Sequence, residues 1–199
     1  WMPYHRLLLP TLPLIMVIVS EGLMARIAGT GRAAAAAVAL LLLTITPNAI
    51  GYDNLVIERI TVRAFALLGE RLQQILPPET SIGCGSTGAI GYYTDLPIVD
   101  ILGLTERHIA REGTIVASQP GHLKTDGAYI VARAPDLLLL GNVQIHRGEW
   151  NEAQMPLKVQ EKEITKQPDF ASRYEFVNIP LGSGFSLSCF KLREFFLPL

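Results

Sequence analysis

The chain has 199 residues, a formal net charge of −1 and a mean hydropathy of +0.30, with hydrophobic residues making up 49%. A charge this close to zero, with no basic excess, argues against a nucleic-acid partner. The two cysteines and four histidines, His5, His108, His122 and His146, have no ligand spacing, which argues against a metal site.

The hydrophobic excess is unevenly placed. Residues 1–51 hold only four charges, Arg6, Glu21, Arg26 and Arg32, and the other 31 of the 35 charged residues fall in 52–199. Leu7 to Ala25 is almost continuously apolar, broken by Pro10, Pro13 and Glu21; Ala33 to Ile50 is apolar without a charge. Each matches the ~20 residues that cross a ~30 Å hydrocarbon core. The pattern therefore predicts two transmembrane helices, about 7–25 and 33–50, ahead of a domain over 52–199. A signal peptide for the first run and a buried alanine-rich helix for the second are the alternatives. The connecting segment Arg26 to Arg32 carries two arginines and no acid, which places it inside and residues 52–199 outside the cytoplasm. The expected location is thus a cell (inner) membrane, with an extracytoplasmic domain. Trp1 is not a start residue, and the chain reads as the C-terminal piece of something longer.

Leu55 to Leu76 repeats apolar residues at helical spacing and ends at Pro77-Pro78, which predicts a helix. A short strand over Thr80 to Ile82 leads into a glycine turn, and Leu96 to Ile101 is a second strand candidate. Thr105 is a plausible N-cap for a helix over Glu106 to Arg111. Gln119-Pro120-Gly121 signals a turn and Leu123 to Arg133 a weak helix. Asp136 to Gly141 contains four consecutive leucines, the pattern of a strand buried on both faces. Gly148 to Ser172 is polar and reads as a surface loop or exposed helix. Tyr174 to Ile179 and Phe185 to Leu192 read as an antiparallel hairpin. The expected fold class is α/β: two N-terminal transmembrane helices, then a small domain with a mostly parallel sheet and a C-terminal antiparallel hairpin.

Gly83, Gly85 and Gly88 fit G-x-G-x-x-G, and Asp100 follows at the end of the second strand, where a dinucleotide fold keeps its ribose-binding carboxylate. The context is incomplete: the first strand is too short, the following helix is closed by Tyr93 to Pro97, and Asp100 comes early. A close-packed strand-to-helix turn explains the same glycines. No nucleotide cofactor is expected.

Arg6 to Leu14 (RLLLPTLPL) resembles a late membrane helix of GT-C-type multi-spanning bacterial glycosyltransferases. Gly88 to Asp95, Val99 to Glu106 and Pro120-Gly121-His122 with Lys124 are similar to the C-terminal extracytoplasmic domain of that group, which includes arabinofuranosyltransferase and mannosyltransferase relatives; Asp169-Phe170 followed by Tyr174 also fits. The resemblance covers most of the chain. It implies transfer of a sugar from a polyprenyl-phosphate donor to an extracytoplasmic glycan acceptor, with the missing N-terminal membrane region of the same protein as a partner. The family's catalytic carboxylate lies in an early loop that matches no position here, so the resemblance implies a fragment that helps bind acceptor.

Asp95 and Asp100 flank a turn and a strand, and as a pair suit a sugar hydroxyl or acid and base work; the alternative is that they cap the turn and the strand end. His122 beside Lys124 and Asp126 suits phosphate or sugar, or a structural loop. Tyr92 and Tyr93 offer rings for stacking on a sugar, or for packing. Cys84 and Cys189 make either a bridge or two buried thiols. Two function classes follow: part of a polyprenyl-sugar-dependent glycosyltransferase, or a non-catalytic membrane-anchored binding or structural module.

Overall fold

The computed structural model describes Val17, residues 52–118 and residues 124–198. The chain divides into two compact units, Trp1–Thr61 and Val62–Leu199. The division falls within α1 (Tyr52–Ile75), and the sheet and all later elements belong to the second unit. Along α1, Phe65, Leu68, Leu72 and Ile75 recur at helical spacing and turn into the core with Leu76. Pro77-Pro78 ends the helix by removing two backbone donors.

The remaining elements run β1 (Ile82–Cys84), α2 (Thr87–Thr94), β2 (Ile98–Asp100), α3 (Arg107–Glu112), β3 (Thr114–Ile115), β4 (Lys124–Thr125), α4 (Gly127–Arg133), β5 (Leu137–Leu139), β6 (Gln144–Arg147), a 3₁₀ turn (Glu152–Gln154), α5 (Val159–Thr165), α6 (Phe170–Arg173), β7 (Tyr174–Gly182) and β8 (Phe185–Leu192). β1 is paired in parallel with β2 on one side and β5 on the other. β8 then lies antiparallel to β5, β6 and β7. β5 and β6 share one edge of β8, but the register slips by four residues between them. Gly141, Asn142 and Val143 absorb the slip with φ of 67°, 64° and 63°. For a β-branched residue such as Val143 that conformation is strained by about 1–3 kcal/mol. It is held by burial of the Val143 side chain and by the Val143 N–H, which donates to Leu140 O at 3.2 Å.

Both faces of the sheet are covered. α1 and α2 cover one, packing Leu68, Leu72 and Ile90 on Ile82, Leu137, Leu139 and Leu187. α3 to α6 cover the other, packing Ile109, Ile130, Ile164 and Phe170 on Leu138, Leu140 and Phe190. This is why Leu137 to Leu140 form an unbroken apolar run: odd and even positions meet different cores. At the entry to the sheet, Ser81 N–H and Oγ–H both donate to Asp136 Oδ2 (2.7 and 2.8 Å), tying the start of β1 to the start of β5.

Two expectations are corrected. The sheet is mixed, with two parallel and three antiparallel pairings, because the chain returns through β8 into the centre instead of adding further parallel strands. The expected transmembrane helices, and the membrane character built on them, are not supported: among the described residues no helix is long and apolar enough to cross a membrane. α1 is 24 residues long but carries Glu58, Arg59, Arg63, Glu70 and Arg71. The segments 7–25 and 33–50 lie outside the described residues, apart from Val17.

Candidate functional site

Open α/β sheets bind ligands beyond the carboxyl ends of their parallel strands. Here that crevice, between Gly85-Ser86, Leu102, Asn142 and Glu161, holds a cavity of only about 30 Å³, the room of about one water molecule. The glycines of the turn serve packing. A Cβ on Gly83 would sit 2.6 Å from Leu138 Cδ2, and one on Gly85 would sit 3.0 Å from Leu102 Cδ1, whereas Gly88 has open space around it. Asp100 is 1% exposed. Its Oδ1 accepts from Leu102 N–H (2.8 Å), and its Oδ2 accepts from Thr105 N–H (2.6 Å) and Oγ1–H (3.1 Å). The carboxylate therefore braces the loop after β2. Asp95 is exposed at the C-cap of α2 with φ 53°, and Tyr92 is 81% exposed with its ring edge-on to Tyr93. Among the described residues, Asp100 is buried while Asp95 and Tyr92 are exposed, and none of the three lines the crevice described above. His122 lies outside the described residues.

A second cluster assembles from α3, β4 and α4. Asp126 caps α4, its Oδ1 accepting from Tyr129 N–H at 2.9 Å, three residues on. Its Oδ2 lies 2.9 Å from His108 Nε2. The Tyr129 ring stacks on the imidazole with centroids 4.0 Å apart, and its hydroxyl donates to Glu106 Oε1 at 3.1 Å. Lys124 Nζ donates to the carbonyls of Ala110 and Arg111, closing the end of α3. Partial burial pushes the Asp126 carboxyl up, but the Tyr129 N–H and His108 outweigh it and hold the group below its ordinary 3.8. Burial, and then Glu106, push the Tyr129 phenol above 10.0. Beside Asp126, between α4, the C-terminal part of α5 and the β3–β4 pair, opens a cleft of about 180 Å³ lined by Thr114, Thr125, Asp126, Glu163 and Gln167 together with the apolar Val116 and the first two residues of α4.

The Asp126 shift has a measurable consequence. A carboxyl with a depressed folded-state pKa contributes stability above its unfolded value of about 3.8 and loses that contribution as pH falls through the folded value. The carbon resonance of the Asp126 carboxyl should titrate below 3.8, and in His108→Leu the midpoint should rise with earlier acid unfolding. An unchanged midpoint would show that the imidazole does not act on Asp126.

A third group juxtaposes serine, histidine and asparagine without forming a catalytic triad. His146 Nε2 lies 2.6 Å from Ser188 Oγ, and Ser188 Oγ–H donates to Asn178 Oδ1 at 2.5 Å. The backbone of Trp150 fixes the amide: its N–H donates to Asn178 Oδ1 (3.3 Å), and its carbonyl accepts from Nδ2 (2.8 Å). The serine proton therefore points to Asn178, and Nε2 must donate to Ser188 Oγ. A histidine that donates to serine does not take its proton. Ser188 is fully buried, and the His146 ring stacks on Trp150 at 4.3 Å, so the group fastens the loop before the 3₁₀ turn to the sheet.

Cys84 and Cys189 are buried free thiols, each pushed up to about 12 by burial. Cys84 pairs with Leu139 in β5, and β8 lies on the far side of β5. Two strand spacings separate the cysteines, roughly 9–10 Å, beyond the ~7 Å Cα limit for a bridge.

The sequence reading missed Glu106, His108, Asp126, Glu163 and Gln167 as a group. The available signal was Asp126 three residues before Tyr129, an N-cap spacing. A family model described as a domain of unknown function, DUF8728, matches residues 54–188. No curated protein and no solved structure matches the chain.

Proposed function

The chain belongs to the DUF8728 family, and from that premise we propose that it is a carbohydrate-binding domain which holds a glycan acceptor for a sugar-transfer reaction. The observation that carries the reading is the cleft beside Asp126. Its volume of about 180 Å³ is below the ~300–1,000 Å³ of drug-sized sites and suits one small ring. Its lining combines two carboxylates, two hydroxyls and an amide, Asp126, Glu163, Thr114, Thr125 and Gln167. Planar and hydroxylic groups of this kind pair with ligand hydroxyls, which both donate and accept. The resemblance of Val99 to Glu106 to the C-terminal domain of GT-C-type glycosyltransferases supports the same reading, since this run leads into α3 and carries Glu106, the partner of Tyr129.

Titration of the full chain with a panel of free monosaccharides, followed by amide NMR, tests it. Saturable shifts in the millimolar range are expected at Thr125 to Ala128 and Glu163 to Gln167. Gln167→Ala should weaken binding several-fold, and Tyr92→Ala should leave it unchanged. Absence of saturable shifts for every sugar would remove the proposal.

A further inference from the structure

We propose that this cleft selects a sugar bearing a free primary ammonium, an amino sugar, over neutral and anionic ones; the inference rests on the carbohydrate-binding reading. The direction of the hydrogen bonds around the cleft carries it. Gln167 Nε2 donates one of its two protons inward to Glu163 O at 2.9 Å, which leaves Oε1 and one N–H of the amide open. The Thr125 hydroxyl proton is directed at Ile101 O, 3.4 Å away, so its lone pairs remain. Asp126 takes protons from the Tyr129 N–H on Oδ1 and from His108 on Oδ2, with the Ala128 N–H also turned to the carboxylate, and two carboxylate oxygens have room for about four in all. Glu163 engages one oxygen with the exposed Lys166 Nζ at 2.9 Å and keeps the other. The lining thus presents mostly acceptors. Among the described residues it contains no lysine or arginine.

A ligand that satisfies this lining brings protons and positive charge. An ammonium brings three donors and no acceptor. Asp126, held below its ordinary range, carries its negative charge at neutral pH. A phosphate or carboxylate entering there would meet like charge and lose hydration without gaining donors. N-acetylation of the amine would remove the charge and add an acceptor to a site already rich in them.

Isothermal titration of the full chain at neutral pH and low salt, with glucosamine, glucose, N-acetylglucosamine and glucose 6-phosphate, separates the possibilities. Glucosamine should bind about tenfold more tightly than glucose, because charge-assisted hydrogen bonds are roughly twice as strong as neutral ones. N-acetylglucosamine should bind no better than glucose, and glucose 6-phosphate more weakly still. Glu163→Gln, a half-buried side chain whose loss leaves both cores intact, should bring glucosamine down to the glucose level with an unchanged melting curve. Equal binding of glucose and glucosamine would overturn the ammonium inference and leave the carbohydrate reading standing. So would binding of the acetylated or phosphorylated sugar as tight as that of glucosamine. A preference that survives both Glu163→Gln and Asp126→Asn would place the ammonium elsewhere and overturn the assignment to this cleft. No binding of any of the four sugars would overturn both.

Discussion

Gly127→Ala should destabilise the domain by about 3 kcal/mol, the upper part of the range for forced overpacking, and should abolish sugar binding. Gly127 is buried at the first position of α4, where that helix meets α5. An added Cβ would run into the carbonyl oxygen of Glu163 and stand 2.7 Å from its carbonyl carbon and 3.0 Å from Gln167 Nε2. The obstruction is helix backbone, which cannot rotate aside as a side chain can. The helix propensity gained by alanine, at most about 1 kcal/mol, is too small to compensate. Relief requires α4 and α5 to part, and the cleft wall is made by those two helices. Gly88→Ala is the matched control, because nothing lies within 4 Å of its added Cβ. It should be neutral or stabilising by up to about 1 kcal/mol. Urea midpoints for both variants check this. A Gly127→Ala protein that unfolds with wild type would show that the helices are not in contact as described.

Asp100→Asn should cost about 3 kcal/mol, although the two side chains have almost the same shape. Two oxygens now accept three hydrogen bonds from Leu102 and Thr105. In asparagine one oxygen becomes an NH₂ group, which has nothing to offer an N–H. Whichever way the amide turns, at least one backbone donor faces another donor in a site 1% exposed. An unsatisfied buried group costs about 1–3 kcal/mol, and each lost bond to a charged acceptor about 1.5–3 kcal/mol. The loop between β2 and α3 should loosen first, seen as faster amide exchange at Leu102 and Thr105. Wild-type stability with lost sugar binding would instead return Asp100 to the role of a ligand contact.

The parts of this fold that show in the sequence are those where one physical demand dominates. Leu137 to Leu140 read as a buried strand because both faces of β5 are covered. α1 shows through its apolar spacing and its terminating prolines. β6 does not show, because its place beside β8 depends on the four-residue slip at Leu140 to Val143, and the positive φ of Val143, which follows Gly141 and Asn142, has no sequence signature. α5 hides for another reason: Gln160 and Glu161 are buried polar residues, so its inner face looks like an outer one. Glu161 turns inward to accept from the N–H of Lys158 at the start of its own helix and from that of Asn142, a partner 19 residues away that only the folded chain brings to it. The His108–Asp126 pair is 18 residues apart and brings two short helices together, so no local pattern announces it.

The position of β8 bears on how the domain is made. It is the one element that pairs with β5, β6 and β7 alike, yet it comes after all of them along the chain. On the ribosome, β1, β2 and β5 can pair once β5 has emerged, but β6 and β7 then have no neighbour to join. The faces that will hold Leu187 and Phe190 stay open until those residues are translated. Non-local strand pairing of this kind is slow and leaves sticky edges in the interval. A nascent chain stalled before Phe185 is therefore expected to be a client for chaperones and proteases, not a smaller working domain.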